Sequence, residues 1–212
     1  MMKISYLVLG PFMTNTYIAW DEASGKAVII DPSFTPEHIW QAVLKLGVTP
    51  EKILLTHAHV DHIAGLNFLR EKYPNARVYM HEKDVPLLSS ASMNLSRMMP
   101  EPVLCEKPDV LVREGDHITE GAMDFEVLET PGHTPGGISF YEKKEGIVFT
   151  GDSLFEGSIG RTDFPGGSMT TLVGSIRKEL FALPDEVHVL SGHGNPTTIG
   201  IEKRSNPFLA GA

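Results

Sequence analysis

Between residues 57 and 62 the chain reads His57-Ala58-His59-Val60-Asp61-His62, which places four metal-binding side chains within six positions. Imidazole and carboxylate donors without thiolate suit zinc, iron or manganese. The cluster follows an apolar run, Ile53-Leu54-Leu55-Thr56, and the same grammar recurs three more times. An apolar strand ends in Thr or Ser, and within three residues comes His or Asp: Val127-Leu128-Glu129-Thr130-Pro131-Gly132-His133, Val148-Phe149-Thr150-Gly151-Asp152 and Val189-Leu190-Ser191-Gly192-His193. Loops at strand ends are where a rigid sheet positions chemistry, and glycines there let backbone approach closely.

Taken singly, His133 or His193 reads as an ordinary loop histidine and Asp152 as a turn cap. Together with the first cluster they complete a set. His57, His59, Asp61, His62, His133, Asp152 and His193 supply the seven donors that two divalent ions bridged by a carboxylate need. Two such ions sharing a water lower its pKa toward neutrality, so the expected nucleophile is a metal-bridging hydroxide, with metal charge stabilising the oxyanion. The motif loops hold no serine or cysteine elbow. Asp61 is read as a ligand and catalytic orienter first, with proton shuttling secondary.

The loop over residues 155–167 joins Asp152 to a helix capped by Ser168 and therefore has to pass beside the metals. Its glycines allow tight turns, and Arg161 is suited to grip a substrate carboxylate in a bidentate way. The alternative is that Arg161 pairs with Asp163 or another acid and braces the loop. His38, His81, His117 and His188 lack the strand-end setting and read as structural or surface residues, and Cys105 as an ordinary thiol.

The elements that must position these residues follow from periodicity and punctuation. Strands are expected over 4–9, 16–20 and 27–30, an antiparallel opening, then a helix over 36–46 capped by Thr35 and stopped by Gly47. A strand at 53–56 leads into a helix over 63–73, followed by a strand at 78–80 and a short helix over 82–90. Residues 91–108, with Met93, Met98 and Met99, are irregular, as either a mobile flap or methionines filling a core gap. Strands at 110–112, 125–130, 138–141 and 147–150, a helix from 169 to 180, a strand at 187–190 and a polar tail complete the chain. Irregular alternation with hairpins in the middle argues for two mixed sheets with helices outside, in one domain over 1–212.

With 212 residues, 42% of them hydrophobic, and a net charge of −9, the composition is globular and acidic, which disfavours a nucleic-acid partner. A lone cysteine makes no internal disulfide, the apolar run at 4–9 is broken by Gly10-Pro11, and no stretch of eighteen apolar residues occurs. A cytoplasmic protein without a membrane partner is expected.

These blocks resemble the metallo-β-lactamase superfamily, whose His-x-His-x-Asp-His signature stands at His57 to His62 with the later His, Asp and His blocks in family order. The resemblance covers nearly the whole chain. It implies an α/β (α+β) fold, an αββα sandwich of two mixed β-sheets flanked by helices, with a dinuclear site at one edge of the sheets. By the same resemblance His57, His59 and His133 hold one metal, Asp61, His62 and His193 the other, and Asp152 bridges them.

The commonest zinc β-lactamases carry a cysteine where Asp152 stands, so the resemblance points away from antibiotic hydrolysis. It points toward the glyoxalase II branch, which the segments at 130–137, 151–155 and 192–194 resemble, especially in its short bacterial members. This implies two divalent ions, zinc with iron or manganese as alternatives, and a small-molecule thioester substrate like an S-2-hydroxyacylglutathione. A thioester suits such a site because its thiol, with a pKa of about 8.5, departs as thiolate. Two features differ from full-length glyoxalase II. No counterpart of its C-terminal helical region follows His193, and Gly160-Arg161-Thr162-Asp163-Phe164 replaces its glutathione-touching lysine and tyrosine. That string also resembles the persulfide dioxygenases, which use one iron, so mononuclear-iron oxidation is the alternative, alongside lactone or phosphodiester hydrolysis.

Overall fold

A computed structural model describes residues 1–209. Strands β1 (Met2–Leu9), β2 (Thr14–Asp21), β3 (Lys26–Ile30), β4 (Thr49–Leu54), β5 (Arg77–His81) and β6 (Val110–Val112) form one sheet in sequence order. Its first three strands are antiparallel, as tight turns permit, and the rest pair in parallel through longer crossovers. The second sheet takes β7 (His117–Glu120), β8 (Met123–Glu129), β9 (Ile138–Glu142) and β10 (Ile147–Gly151) as a meander. A small hairpin, β11 (Leu154–Phe155) and β12 (Ser158–Ile159), follows, after which β13 (His188–Ser191) adds in parallel to β10 and β14 (Thr197–Thr198) closes the edge.

The side-chain period of two sorts each strand between layers. In β2 and β3, Tyr17, Ala19, Val28 and Ile30 face the other sheet, where Phe125, Phe140 and Phe149 meet them. The intervening Ile18 and Ile29 face helices α1 (Pro36–Leu46) and α3 (Leu66–Lys72) through Ile39, Val43, Leu66 and Leu69. Beneath the second sheet, Leu128, Val148 and Val189 pack on α5 (Met169–Ser175), its π-helical continuation Ile176–Leu180, and α6 (Ile199–Ser205). Burying each such side chain is worth about 1.5–3 kcal/mol. The layers run helix, sheet, sheet, helix, as the resemblance implied.

Local departures have local causes. The helix expected over 63–73 is split into α2 (Val60–Ile63) and α3 around Gly65, whose N–H donates to the Pro32 carbonyl at 2.9 Å. A Cβ there would lie 2.6 Å from the Ser33 carbonyl oxygen, so this close approach requires glycine. Thr35 does not cap α1: its φ is 53° and its hydroxyl turns to the Phe34 carbonyl, leaving Pro36 to start the helix. Ser168 does cap α5, accepting from the Thr171 amide. The short helix after β5 is a 3₁₀ turn followed by α4 (Val85–Leu88). The expected polar tail contains α6, and β7, whose one apolar residue is Ile118, lies outside the expected strands at a sheet edge.

Residues 91–108 are irregular but tied down. The buried Asn94 donates to the Val103 carbonyl at 2.8 Å, and the Val60 amide donates to the Asn94 carbonyl at 2.8 Å. Met93 packs on the helix-side core while Met98 is exposed.

Candidate metal centre

All seven candidate ligands come from the four strand ends, and the fold brings them to one place. His57 and His59 lie in the loop after β4, and Asp61 and His62 in the single turn of α2 that follows. His133 comes from the loop after β8, Asp152 from the end of β10 and His193 from the end of β13. They form three overlapping groups: His57, His59, His133; Asp61, His62, His193; and His57, His62, Asp152, with the ligand atoms of each within 4.8 Å of one another.

Asp152 touches both outer groups. Its Oδ1 is 3.2 Å from His62 Nε2, and its Oδ2 is 3.5 Å from both His133 Nε2 and His193 Nε2. This placement fits the bridging carboxylate that the resemblance implies. Gly192 makes room for it, since a Cβ there would come within 2.4 Å of Asp152 Oδ1 and 2.6 Å of the His62 ring.

The donor atoms fit divalent cations. His57 Nε2, His62 Nε2 and Asp152 Oδ1 are buried and have no hydrogen-bond partner among the described residues. Each such orphan costs about 1–3 kcal/mol unless a partner is supplied. His59 Nδ1 and His133 Nε2 stand 2.8 Å apart, which two ring nitrogens tolerate only around a shared proton or cation.

The remaining ring nitrogens of four of the five histidines are committed elsewhere, and this aims them. His133 Nδ1 donates to the Arg161 carbonyl at 2.6 Å and His193 Nδ1 to the Phe12 carbonyl at 3.0 Å. His62 Nδ1 meets Asp31 Oδ2 at 2.9 Å, and His57 Nδ1 meets Thr56 Oγ1 at 3.1 Å. Partners of this kind fix the tautomer and the ring orientation of a metal-binding histidine.

Burial and neighbouring histidines hold His57 well below its ordinary pKa, and burial with His133 lowers His59 to about 3. Both are therefore neutral at pH 7. His62 and His193 move the other way. Burial disfavours their charge, but carboxylates outweigh it: Asp61, Asp152 and Asp31 lift His62, and Asp152 and Asp61 lift His193 to about 9. Although burial opposes it, the same histidines keep Asp61 and Asp152 below the usual carboxylate range.

Two acids that sequence reasoning missed support the site. Asp31, at the end of β3, binds His62 and also accepts from the Thr56 amide and hydroxyl at 2.8 and 2.7 Å. Its signal was present: Val28-Ile29-Ile30-Asp31 is a fifth apolar strand ending in an acid. Asp84 accepts from the Thr134 hydroxyl, the Gly136 amide and the Ala58 amide, clamping the loop of His57 to that of His133. Nothing in its local sequence marks it. His81 and His117 pair with Glu129 and Asp124 away from the centre, as read from the sequence.

The centre opens into a cleft of about 550 Å³. Its walls are mostly apolar, with Phe12, Leu95, Phe155, Ile159 and Phe164 around a floor of candidate ligands. Arg161 also lines it. Its Nε and Nη2 bind Asp163 at 3.0 and 2.7 Å, and its guanidinium lies 4.4 Å over the Phe164 ring. The pairing with Asp163 is thus present, and Arg161 remains two-thirds exposed.

The metallo-beta-lactamase superfamily profile matches residues 9–193. This chain belongs to that superfamily, as the fold and the ligand set independently indicate. It is 41% identical to "Probable metallo-hydrolase YqgX" of Bacillus subtilis, covering 99% of both chains. It is 39% identical to "Hydroxyacylglutathione hydrolase GloC" of Haemophilus influenzae, covering 98% of each. Among solved structures, the BLEG-1 B3 metallo-beta-lactamase superposes with a TM-score of 0.93 at 41% identity, over 99% of this chain and 100% of that one. TTHA1623 in a di-iron-bound form gives 0.84 at 37% identity, over 97% and 100%. The protein is a metallohydrolase of this superfamily. A β-lactamase stands among its similar structures, so the aspartate at 152 does not by itself set antibiotic hydrolysis aside.

Proposed function

We propose that this chain is a dinuclear thioester hydrolase of glyoxalase II type, acting in the cytoplasm on a small-molecule substrate. The observation that carries this is the pair of three-ligand groups sharing Asp152 at the floor of an apolar-walled cleft. The relative named hydroxyacylglutathione hydrolase supports the choice of a thioester. Two divalent ions, zinc with iron or manganese as alternatives, supply an acidified water and a Lewis acid when bound.

The chain's own residues do the rest. Phe12, Leu95, Phe155 and Phe164 take the apolar part of the substrate and exclude water, which strengthens every charge interaction at the floor. Asp61, whose Oδ2 lies 3.1 Å from His193 Nε2, orients the reacting groups, with proton shuttling a secondary role of its carboxylate. Arg161 receives an anionic arm of the thiol carrier by exchanging Asp163 for a substrate carboxylate. The thiol then leaves as thiolate without a strong general acid.

A second reading, oxidation of a persulfide at a single iron, rests on the residues 160–164 that resemble the dioxygenases. Protein purified without chelator, assayed in parallel on an S-2-hydroxyacylglutathione, a glutathione persulfide and a β-lactam, separates these possibilities. Turnover chiefly of the thioester is expected. Oxygen consumption with persulfide, or turnover of the β-lactam alone, would replace it.

A further inference from the structure

The two groups of ligands share Asp31, which meets His62 directly and His57 through Thr56, but otherwise lean on different parts of the chain. His57 and His133 are braced by Thr56 and the Arg161 carbonyl, and Asp84 ties their loops together. Two ligands of the other group, Asp61 and His193, are instead both held by the turn between β1 and β2 and the first residue of β2. Thr14 Oγ1 donates to Asp61 Oδ2 at 2.9 Å, and the Phe12 carbonyl accepts from His193 Nδ1 at 3.0 Å. Thr14 and His193 also form a backbone bridge, and the next amide, Asn15, donates to the Gly192 carbonyl at 2.7 Å.

We propose that this turn, with Thr14 as a positioning residue, sets the geometry of the Asp61–His62–His193 metal site separately from that of the His57–His59–His133 site. The hydroxyl reaches the one carboxylate oxygen that also lies 3.1 Å from His193 Nε2 and 3.4 Å from His62 Nε2, the oxygen facing the rest of its group. A carboxylate on a flexible side chain presents either oxygen in several orientations. One hydrogen bond from a fully buried threonine selects Oδ2 and leaves its other lone pair for the cation.

The turn is built to hold still. Met13 and Gly10 both sit at positive φ, 55° and 68°, and the Met13 amide closes on the Gly10 carbonyl. The absent side chain of Gly10 lets Phe34 pack where a Cβ would lie, 2.6 Å from the Phe34 ring, and the Phe34 ring in turn lies 6.2 Å from that of Phe12, tilted by 39°. Phe12, whose carbonyl braces His193, is also a cleft wall.

The inference rests on the two-site reading, whose own failure shows separately as wild-type protein that binds a single ion. Thr14→Val keeps the shape and removes the hydroxyl, whereas Thr14→Ser keeps the hydroxyl. Zinc affinities are read stepwise by competition with a chromophoric chelator, together with the melting temperature of the metal-free protein. Thr14→Val should weaken the second ion about ten- to a hundredfold, leave the first unchanged, and be rescued by Thr14→Ser. Equal weakening of both ions, no weakening at all, or a Thr14→Ser chain that behaves like Thr14→Val would overturn the proposal. If Thr14→Val does not fold, Gly10→Ala, which shifts the turn through Phe34 without touching a ligand, makes the same distinction. Selective loss of the second ion supports the proposal, and equal loss overturns it.

Discussion

Asp31 Oδ2 lies 2.9 Å from His62 Nδ1 and 2.7 Å from Thr56 Oγ1, and Thr56 Oγ1 in turn meets His57 Nδ1, so a single buried carboxylate aims a ligand in each metal group. Asp31 sits at φ 51°, a backbone region that asparagine also tolerates. Asp31→Asn therefore tests the charge with little strain. Affinity for both ions should fall about ten- to a hundredfold, measured by chelator competition. Unchanged affinity would show that the contact is incidental.

Much of this site was legible because its ligands obey a local rule. Each follows the end of an apolar strand, and the spacing within His57 to His62 fits one loop and one helical turn. Asp31 obeys the same rule but lacks a histidine neighbour to draw notice. Asp84 and Thr14 reach the site only through tertiary packing, across |i−j| separations of 50 to Thr134 and 47 to Asp61, which no local pattern records. The split helix at Gly65 was hidden for the same reason, because its cause is the backbone of Pro32 and Ser33.

Loading of the two sites should depend on pH to different degrees. Neutral His57 and His59 present free lone pairs at pH 7, whereas His62 and His193, raised by their carboxylates, carry protons in the metal-free protein. A protonated ring nitrogen does not ligate, so binding of the second ion must release protons. Its affinity should rise with pH, by about tenfold per unit for each proton released, until His193 titrates near 9. The first ion should show a shallower slope. Calorimetry in buffers of different ionisation heat counts the protons, and equal release at both steps would contradict the assignment.

Arg161→Ala should raise KM for thioesters with a carboxylate-bearing thiol arm several-fold while sparing a small neutral thioester. The exposed pair with Asp163 adds little to stability, so the melting temperature should hold. Equal losses on both substrates would show that the side chain only braces the loop.

Cys105 is buried, which pushes its thiol up to about 11, and its Sγ faces the Ile63 carbonyl at 3.8 Å, away from the ligands. Cys105→Ser should keep close to the wild-type rate, and no acyl group should appear on Cys105 in enzyme quenched during turnover. An acylated cysteine in the mass spectrum would place the nucleophile elsewhere.

The central claim is that seven side chains at four strand ends hold two ions. Elemental analysis of protein purified without chelator and then made metal-replete tests it most directly. Two ions per chain are expected in the wild type, falling to about one in His59→Ala, which removes one of the three nitrogen donors of the first group. A single ion per wild-type chain under those conditions, or two ions retained by His59→Ala, would contradict it.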